Sequence, residues 1–326
     1  MGELAFGWPP ALDMRYDRRV DAAFVELFRG GGLYGSVTEY AREARYPVDL
    51  QFRREIRADA QRATLYVGLQ KVLDIEWRDG EVRLTGHSRL ARRCGFRSEW
   101  SAWTSQADAR RTIDGVEGYL ELVIPQGAAS AKEGAVQSAV SAFHTDGTFI
   151  VDREVSLQYR SRAVRSRLIA EWTDDLVALL IDAPVPQVSP PRFGDRCDIV
   201  ALSRADEVLA IEVKPRNVES VVWAPAQAIV YARMLNAWIE ADLDAVGILQ
   251  TVVDTRVRLN LIDEVPPAIV RTARVRPVLA VQRGGGPERL ESMRKVIRYL
   301  RESGVPEAHE LLLFDVSLSG RLIASE

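Results

Sequence analysis

The chain has 326 residues, 47% of them hydrophobic, and a formal net charge of −3. This length allows two domains or one large one, and the slightly acidic balance argues against a purely electrostatic binder of nucleic acids. No apolar run reaches the length of a membrane span, and the N-terminus lacks the charged and apolar regions of a signal peptide. Only two cysteines, Cys94 and Cys197, are present, which favours a reducing compartment and a cytoplasmic location.

Residues 1–147 are predicted to form an α+β accessory domain that recognises the substrate or a partner. Helices are expected at 18–28, 37–44 and 128–143, and strands within 63–77, at 81–86 and at 116–125. Asp79 and Gly80 separate two strand-like runs, and Asp-Gly is a strong hairpin signal. The recognition role is assigned by analogy with other domains attached to enzyme cores.

Residues 148–326 are predicted to form an α/β domain. Strands are expected at 149–155, 197–203, 208–214, 245–253, 275–282 and 310–316, and helices at 161–181, 225–241 and 287–303. The first helix is predicted because Leu168, Trp172 and Leu176 recur at helical spacing. The segment 245–253 is a continuous apolar run bounded by charges, which is typical of a buried strand.

Two neighbouring strands carry polar groups where a buried strand would carry aliphatic ones. Side chains alternate along a strand, so Glu212 and Lys214 point to the same face. Asp198 adds a second carboxylate from the preceding strand. Two nearby carboxylates repel unless a cation lies between them, and Mg²⁺ prefers such oxygen ligands. The pattern favours metal-assisted phosphodiester hydrolysis, with Lys214 assisting the attacking water; the alternative is an edge strand whose Glu–Lys ion pair faces water.

The spacing Asp-x(13)-Glu-x-Lys is formed by Asp198, Glu212 and Lys214. The helix that follows carries Gln227 and Tyr231, four residues apart and therefore on one face. In this order the residues resemble the PD-(D/E)XK nuclease superfamily, and within it the RecB-like branch with its Gln-x-x-x-Tyr motif. The residue before the aspartate is cysteine rather than proline, a position at which the family's proline is often missing.

The resemblance covers roughly residues 160–253, less than a third of the chain. It implies a restriction-endonuclease-like core, a mixed sheet flanked by helices. It also implies that Asp198, Glu212 and the backbone carbonyl of Val213 bind the metal and that Lys214 is the catalytic lysine. The glutamine and tyrosine of the following helix would support the site or contact the nucleic acid.

The family usually adds one more acidic residue, from a helix before the first core strand. Here Glu171 in the predicted helix 161–181 is the first candidate. Glu154, Asp174 and Asp175 are the competing candidates. The residue that supplies this additional acid is therefore left open, and it lies either in the predicted helix or in the strand before it.

Arginines near the predicted site are candidates for contacts with the phosphate backbone. Arg160 and Arg167 lie close before Glu171, and Arg216 follows the catalytic lysine. A second basic and aromatic cluster contains Arg89, Arg92, Arg93, Arg97, Phe96 and Trp100. Arginine combined with aromatic residues suits single strands or distorted bases, while a solvated face paired with acids is an equally good interpretation.

Together these features predict a Mg²⁺-dependent nuclease, with Mn²⁺ as a substitute and DNA as the favoured substrate. An endonuclease in host defence, restriction or repair is expected, with a partner protein of the same system and a homodimer as further expectations. Three alternatives stay open: an RNA-directed nuclease, a catalytically silent nuclease fold that binds nucleic acid or a partner, and a nucleotide-binding regulator. The last would use the glycine loop 283–286, for which a flexible turn is the favoured interpretation.

Overall fold

A computed structural model describes residues 12–55, 60–130, 134–142, 147–185, 193–270 and 274–325. The chain divides into two compact units. Unit 1 contains Met1–Tyr16, Thr145–Leu249 and Pro266–Glu326, and unit 2 contains Asp17–His144 and Gln250–Val265. The division after residue 144 lies close to the predicted boundary after residue 147, in a segment outside the described residues. The assignment of 250–265 to unit 2 has no counterpart in the sequence-based division.

Helices and strands are interspersed along the chain, often in short runs of one type. The described strands are β1 (Met14–Arg15), β2 (Val48–Glu55), β3 (Ala60–Val67), β4 (Gln70–Arg78), β5 (Glu81–Gly86), β6 (Thr104–Ser105), β7 (Thr148–Ser156), β8 (Gln158–Tyr159), β9 (Arg196–Ser203), β10 (Val208–Lys214), β11 (Val275–Gln282), β12 (Leu312–Val316) and β13 (Leu322–Ala324). The described helices are α1 (Ala22–Glu26), α2 (Gly35–Glu43), α3 (Gln106–Thr112), α4 (Val116–Ser130), α5 (Gly134–Ala142), α6 (Arg162–Ile181), α7 (Ala224–Ala241), α8 (Ala245–Arg258), α9 (Pro287–Glu302) and α10 (Pro306–Glu310). The mixed α/β class is therefore confirmed. None of these helices is both long and apolar enough to cross a membrane.

A six-stranded mixed sheet forms the centre of unit 1, in the order β13-β12-β11-β10-β9-β7. The strands β10, β11 and β12 run parallel, whereas β9 is antiparallel to both of its neighbours. Parallel neighbours need a crossover, and the chain supplies α7 between β10 and β11 and α9 between β11 and β12. Every residue of β10 except the last is buried, as expected of a strand covered on both faces.

The predicted helix 161–181 is confirmed as α6, and its first turn has a clear local cause. The Ser161 hydroxyl accepts the N–H of Val164 at 3.2 Å and so caps the first turn. Leu168, Trp172 and Leu176 are buried on one side of the helix. The predicted strands at 149–155, 197–203 and 208–214 and the helix at 225–241 are likewise present as β7, β9, β10 and α7.

Two segments that were predicted as strands are helices. The run 245–253 lies in α8, and the run 116–125 lies in α4. Both are rich in β-branched residues, which favour strands over a short window. Their buried positions nevertheless follow the helical period, as at Ile248, Leu249, Val252, Val253, Val116, Tyr119, Leu120, Val123 and Ile124. The strand expected after α7 is instead β11, which pairs directly with β10.

Unit 2 is built on an antiparallel sheet in the order β2-β3-β4-β5-β6. The hairpin turn predicted at Asp79-Gly80 is confirmed, because both residues have positive φ, 51° and 85°. The run 63–77 is divided into β3 and β4 by a turn at Gly68, where φ is 62°. β2 was not predicted, and the helix expected at 18–28 is limited to the five residues of α1.

The core of unit 2 lies on one face of this sheet. Residues of α1, α2 and α4, and Phe28 after α1, pack there with the inward side chains of the strands. This core includes Phe24, Phe28, Val37, Leu50, Leu65, Ile75, Leu84, Leu120 and Val123. Alternation along each strand then leaves the opposite face polar. Of the helix predicted at 128–143, residues 128–130 lie in α4 and 134–142 form α5, while 131–133 and 143 lie outside the described residues.

Candidate active site

Asp198 and Glu212 occupy opposed positions on two antiparallel strands. The ladder between β9 and β10 runs as far as the pair Ile199 and Ile211, and the next pair in this register would be Asp198 and Glu212. The backbone pairing ends there. Instead, Oδ2 of Asp198 accepts the N–H of Val213 at 2.9 Å. The parting of the two strands therefore places both carboxylates in one site, with one of them bound to the backbone of the other's strand.

Glu212 and Lys214 form a buried ion pair on the same face of β10. Nζ of Lys214 contacts Oε1 of Glu212, and the two side chains are only 12% and 4% exposed. β10 lies between β9 and β11, so the alternative of an edge strand with a water-facing pair is wrong. The second oxygen, Oε2 of Glu212, is buried without a hydrogen-bond partner among the described residues. Buried polar atoms normally have partners, so this oxygen marks a place where a ligand could bind.

The pKa values of both carboxylates are raised. Burial raises the pKa of Glu212 well above its ordinary value, and the charge of Asp198 adds to that rise, while Lys214 opposes it. Burial also raises the pKa of Asp198, although the hydrogen bond from Val213 and the charge of Lys214 oppose the change. Both acids are therefore harder to ionise than in water, and an additional cation would favour their charged forms.

The helix-borne acidic residues lie in exposed positions. Glu171 is 51% exposed and pairs with Arg167 at 2.6 Å. It is not among the charges that shift the pKa of either strand carboxylate. Its competitors on α6, Asp174 and Asp175, are exposed as well. The structure therefore does not favour α6 as the source of a further ligand.

Glu154 on β7 is the acidic residue that the structure brings into electrostatic contact with the site. Its charge contributes to the raised pKa of Asp198. Its side chain is 21% exposed, and its Oε2 lies 3.2 Å from Nη1 of Arg196. Its φ of 51° is uncommon for a residue with a Cβ, and such backbone conformations cluster at functional sites. Of the candidates for the additional acid, Glu154 is the one that these observations favour.

Gln227 and Tyr231 lie one turn apart on α7, which packs against β10 and β11. Tyr231 is buried, and burial raises the pKa of its hydroxyl, with further contributions from the carboxylates of Glu212 and Asp198. The tyrosine therefore keeps its proton beside these acids. Oε1 of Gln227 is buried and has no hydrogen-bond partner in the part of the chain that the structure describes. α7 thus contributes a neutral hydroxyl donor, from Tyr231, and an amide oxygen that can accept a hydrogen bond, from Gln227.

The three arginines predicted to bind phosphate lie in different settings. Arg216 is exposed at the end of β10, and its backbone N–H donates to Oε1 of Gln282 at 3.2 Å. Its guanidinium forms no ion pair with any described residue. Arg167 is held by two carboxylates, one of them Asp13 at 2.6 Å. Arg160 is exposed, and its N–H donates to the carbonyl of Asp13 at 3.0 Å. Arg216 is therefore the arginine best placed to offer its charge to a ligand.

One residue beside the site was missed in the sequence. Asn217 has a φ of 66°, and its Oδ1 accepts the N–H of Gly286 at 2.9 Å. Its carbonyl accepts a hydrogen bond from Arg289. Asn217, Gly286 and Arg289 line a cavity of about 400 Å³ at the start of α9. The hydrogen bond to Gly286 also fixes the end of the glycine loop 283–286. The signal in the sequence was an asparagine after a strand, since asparagine tolerates this conformation.

The residues present fit a hard divalent cation in donor type. Asp198 and Glu212 supply carboxylate oxygens, and the unpartnered Oε2 of Glu212 is one of them. Oxygen ligands suit Mg²⁺ and Mn²⁺. Within the described ranges, no group of three or more His, Cys, Asp or Glu side chains is close enough to hold a metal ion.

Comparison of the chain with family models, with curated proteins and with solved structures gave no match.

Proposed function

We propose that this protein is a divalent-metal-dependent nuclease with a RecB-like PD-(D/E)XK core. The observation that carries the proposal is the buried juxtaposition of Asp198 and Glu212 beside Lys214. A buried ion pair already costs desolvation energy, and a second carboxylate raises that cost. An arrangement of this kind is understandable when the extra negative charge serves to bind a cation.

The order of elements supports the same proposal. A helix, α6, precedes the β9–β10 hairpin, the helix α7 follows, and β11 then pairs in parallel with β10. The acidic pair, the lysine and the helix-borne Gln227 and Tyr231 come in the order that the superfamily shows. α7 packs against the strand that carries Glu212 and Lys214, so all of these residues belong to one local structure.

The metal would be held by Asp198 and Glu212, with the carbonyl of Val213 as a further ligand. Glu154 is proposed as the additional acid in place of Glu171, because its charge acts on Asp198. When bound, a divalent ion polarises a phosphoryl oxygen and lowers the pKa of a water molecule. Mg²⁺ is the proposed ion, and Mn²⁺ offers the same coordination preferences.

Lys214 supplies a positive charge next to the acids. Its side chain is only 12% exposed, so its electrostatic effect is less screened than that of a surface lysine. Its three N–H donors can orient the attacking water and stabilise the charge that develops on phosphoryl oxygens. The protonated Tyr231 hydroxyl and the unpartnered Oε1 of Gln227 would orient further groups at the site. Arg216, exposed two residues beyond Lys214, would bind an adjacent phosphate.

DNA is the proposed substrate, and an endonuclease that acts in host defence, restriction or repair is the proposed role. The test is cleavage of circular and linear DNA, single- and double-stranded, with Mg²⁺, Mn²⁺ or EDTA, and of RNA in parallel. Wild type is compared with Lys214→Ala and with Lys295→Ala, which removes an exposed lysine of α9. Metal-dependent cutting that only Lys214→Ala abolishes supports the proposal. Absence of cutting on every DNA and RNA substrate counts against it.

A second candidate is a nuclease fold that binds nucleic acid or a partner without cutting it. The observation that favours it is the absence of a three-residue acidic, His or Cys cluster from the described residues. Isothermal titration with Mn²⁺ separates the two candidates. Binding that is lost in Asp198→Asn supports the nuclease, whereas no binding by the wild type supports the silent fold.

A further inference from the structure

Unit 2 carries a stretch of unbalanced positive charge. The segment His87–Arg97, here called the basic segment, contains Arg89, Arg92, Arg93 and Arg97. No aspartate or glutamate occurs between residues 82 and 98, in a chain whose net charge is −3. All four arginines are exposed, and none forms an ion pair with a residue that the structure describes.

The backbone of the basic segment is fixed by buried side chains. Cys94 is fully buried. The ring of Phe96 makes edge contacts with Trp100 and Tyr119, at centroid distances of 5.2 and 5.3 Å. The N–H of His87 donates to the Tyr119 hydroxyl at 3.0 Å. These anchors hold the segment on the core of unit 2 while its arginines point to solvent.

A histidine shapes the start of the segment. Nδ1 of His87 accepts the N–H groups of Arg89 and Leu90, both at 3.1 Å. Burial and the charge of Arg89 lower the pKa of His87, so its ring is neutral and can accept at neutral pH. A 3₁₀ turn at Arg92–Cys94 follows and ends at Gly95, where φ is 83°. The arginines are therefore presented from an ordered turn, which reduces the entropy lost when a ligand binds.

The basic segment differs from the arginines on the polar face of the sheet in unit 2. On the polar face of the sheet, a guanidinium nitrogen of Arg62 lies 3.2 Å from the carboxylate of Glu76, and Arg83 forms a shorter ion pair with the same carboxylate. Those two arginines share a carboxylate within the fold. In the basic segment the charges are left for an external anion, and several lie within a few residues of one another. A polyanion with closely spaced charges is the ligand that satisfies them together.

The chemistry of the segment distinguishes among polyanions. The large hydrophobic side chains that are exposed in the described residues lie elsewhere in the chain, at Leu69, Leu122, Ile181, Leu243, Val265, Val270, Leu318 and Ile323. Insertion into a lipid surface therefore has no largely exposed apolar side chain to use in this segment, where Leu90 and Phe96 pack against the core. The arginine fork matches phosphate oxygens. Arg97 lies over the ring of Trp100 at 5.6 Å, and because this ring is buried, the segment offers a ligand its guanidinium groups rather than an aromatic stacking surface.

We propose that the basic segment is a second nucleic-acid contact, in unit 2, that binds the phosphate backbone of the substrate. The identification of the polyanion as nucleic acid rests on the proposed nuclease function. The phosphate contact is made by Arg89, Arg92 and Arg93, while Arg97, whose guanidinium lies over the ring of the buried Trp100, forms the edge of the surface. Binding through phosphates is independent of sequence, so this contact adds affinity and salt dependence rather than sequence preference.

The test is fluorescence anisotropy of labelled single- and double-stranded DNA with the full chain in EDTA, over a series of salt concentrations. Arg92→Ala/Arg93→Ala is compared with Arg42→Ala/Arg45→Ala. This control removes two exposed arginines of the same unit that form no ion pair within the described part of the chain and that stand beside Glu39 and Glu43 in the sequence. For duplex DNA, loss of two phosphate contacts is expected to reduce the slope of log K against log salt by about 2. The control is expected to keep the wild-type slope. Circular dichroism verifies that each variant is folded.

Equal slopes and affinities for the two double variants overturn the inference, as does tighter binding of the wild type to polyglutamate or to anionic vesicles than to DNA. Cleavage with Mg²⁺ is measured on the same preparations. A protein that binds DNA through the basic segment but cuts neither DNA nor RNA upholds this contact and refutes the proposed nuclease. A protein that cuts DNA, while its affinity is unchanged in Arg92→Ala/Arg93→Ala, upholds the nuclease and refutes this contact.

Discussion

The carboxylate of Asp198 accepts the backbone N–H of Val213 across two strands whose own pairing has just ended. This bond gives the N–H of Val213 an acceptor where the backbone pairing of the two strands has ended. It also keeps the carboxylate directly opposite Glu212. Asp198 therefore has two roles that can be separated by mutation. It satisfies a buried donor, and it supplies negative charge for a cation.

The two roles of Asp198 predict different results for its two simplest substitutions. Asp198→Asn keeps an oxygen that can accept the Val213 N–H, whereas Asp198→Ala leaves that donor without a partner. A buried donor left unsatisfied costs about 1–3 kcal/mol. Urea unfolding in EDTA should therefore find Asp198→Ala less stable than Asp198→Asn by an amount of this order. Both variants should lose metal-dependent cleavage, and equal stability would contradict the structural role.

The raised pKa of Glu212 predicts a pH-dependent stability in metal-free buffer. Above the ordinary pKa, the unfolded chain has lost a proton that the folded chain retains, so stability is full at acid pH and falls as pH rises toward the folded pKa. Glu212→Gln lacks this titration. Its free energy of unfolding should rise relative to wild type between pH 4.5 and 8, by at most about 1.4 kcal/mol per pH unit.

The measurement is urea unfolding at pH 4.5, 6 and 8 in EDTA. Glu171→Gln, which removes an exposed carboxylate of α6, controls for the change in net charge. A difference between Glu212→Gln and wild type that stays constant with pH would contradict the prediction. Addition of Mg²⁺ should reverse the order of stability at pH 8, because a bound cation favours the ionised carboxylate.

The position of Glu154 predicts which acid strengthens metal binding. Glu154→Gln should weaken Mn²⁺ binding by about tenfold or more, as loss of groups around a metal commonly does. Glu171→Gln should leave the affinity unchanged, because Glu171 is occupied by Arg167 at the surface. Isothermal titration with Mn²⁺ measures both variants. If Glu171→Gln bound Mn²⁺ more weakly than wild type and Glu154→Gln bound it equally well, the additional acid would be Glu171 on α6 instead.

Lys214 should affect catalysis without being needed for metal binding. Its ammonium group competes with a cation for Glu212, so Lys214→Ala is expected to bind Mn²⁺ at least as tightly as wild type. Its cleavage rate should fall by about 10²–10⁴-fold, the range for loss of a group that assists proton transfer. Titration and single-turnover kinetics on the same sample test this. Weaker Mn²⁺ binding in the variant would show that the lysine organises the carboxylates.

The sequence by itself determined the local elements of the candidate site. Alternation along β10 placed Glu212 and Lys214 on one face, and the four-residue spacing on α7 placed Gln227 and Tyr231 on another. These results depend only on the period of a single element, which nearby residues encode. The hairpin that brings Asp198 near Glu212 could also be predicted, because its two strands are joined by a short polar turn.

Only the tertiary structure decided which remote segments join that hairpin. The sequence favoured Glu171 because it lies on a helix before the strands, but the pairing of β7 with β9 brings Glu154 close instead. The run 245–253 had the composition of a strand, yet its buried side chains recur at helical spacing in α8. Residues 250–265 likewise belong with a unit formed mainly by residues 17–144. Such choices depend on which buried surfaces fit each other over long separations in the chain, and local periodicity does not contain that information.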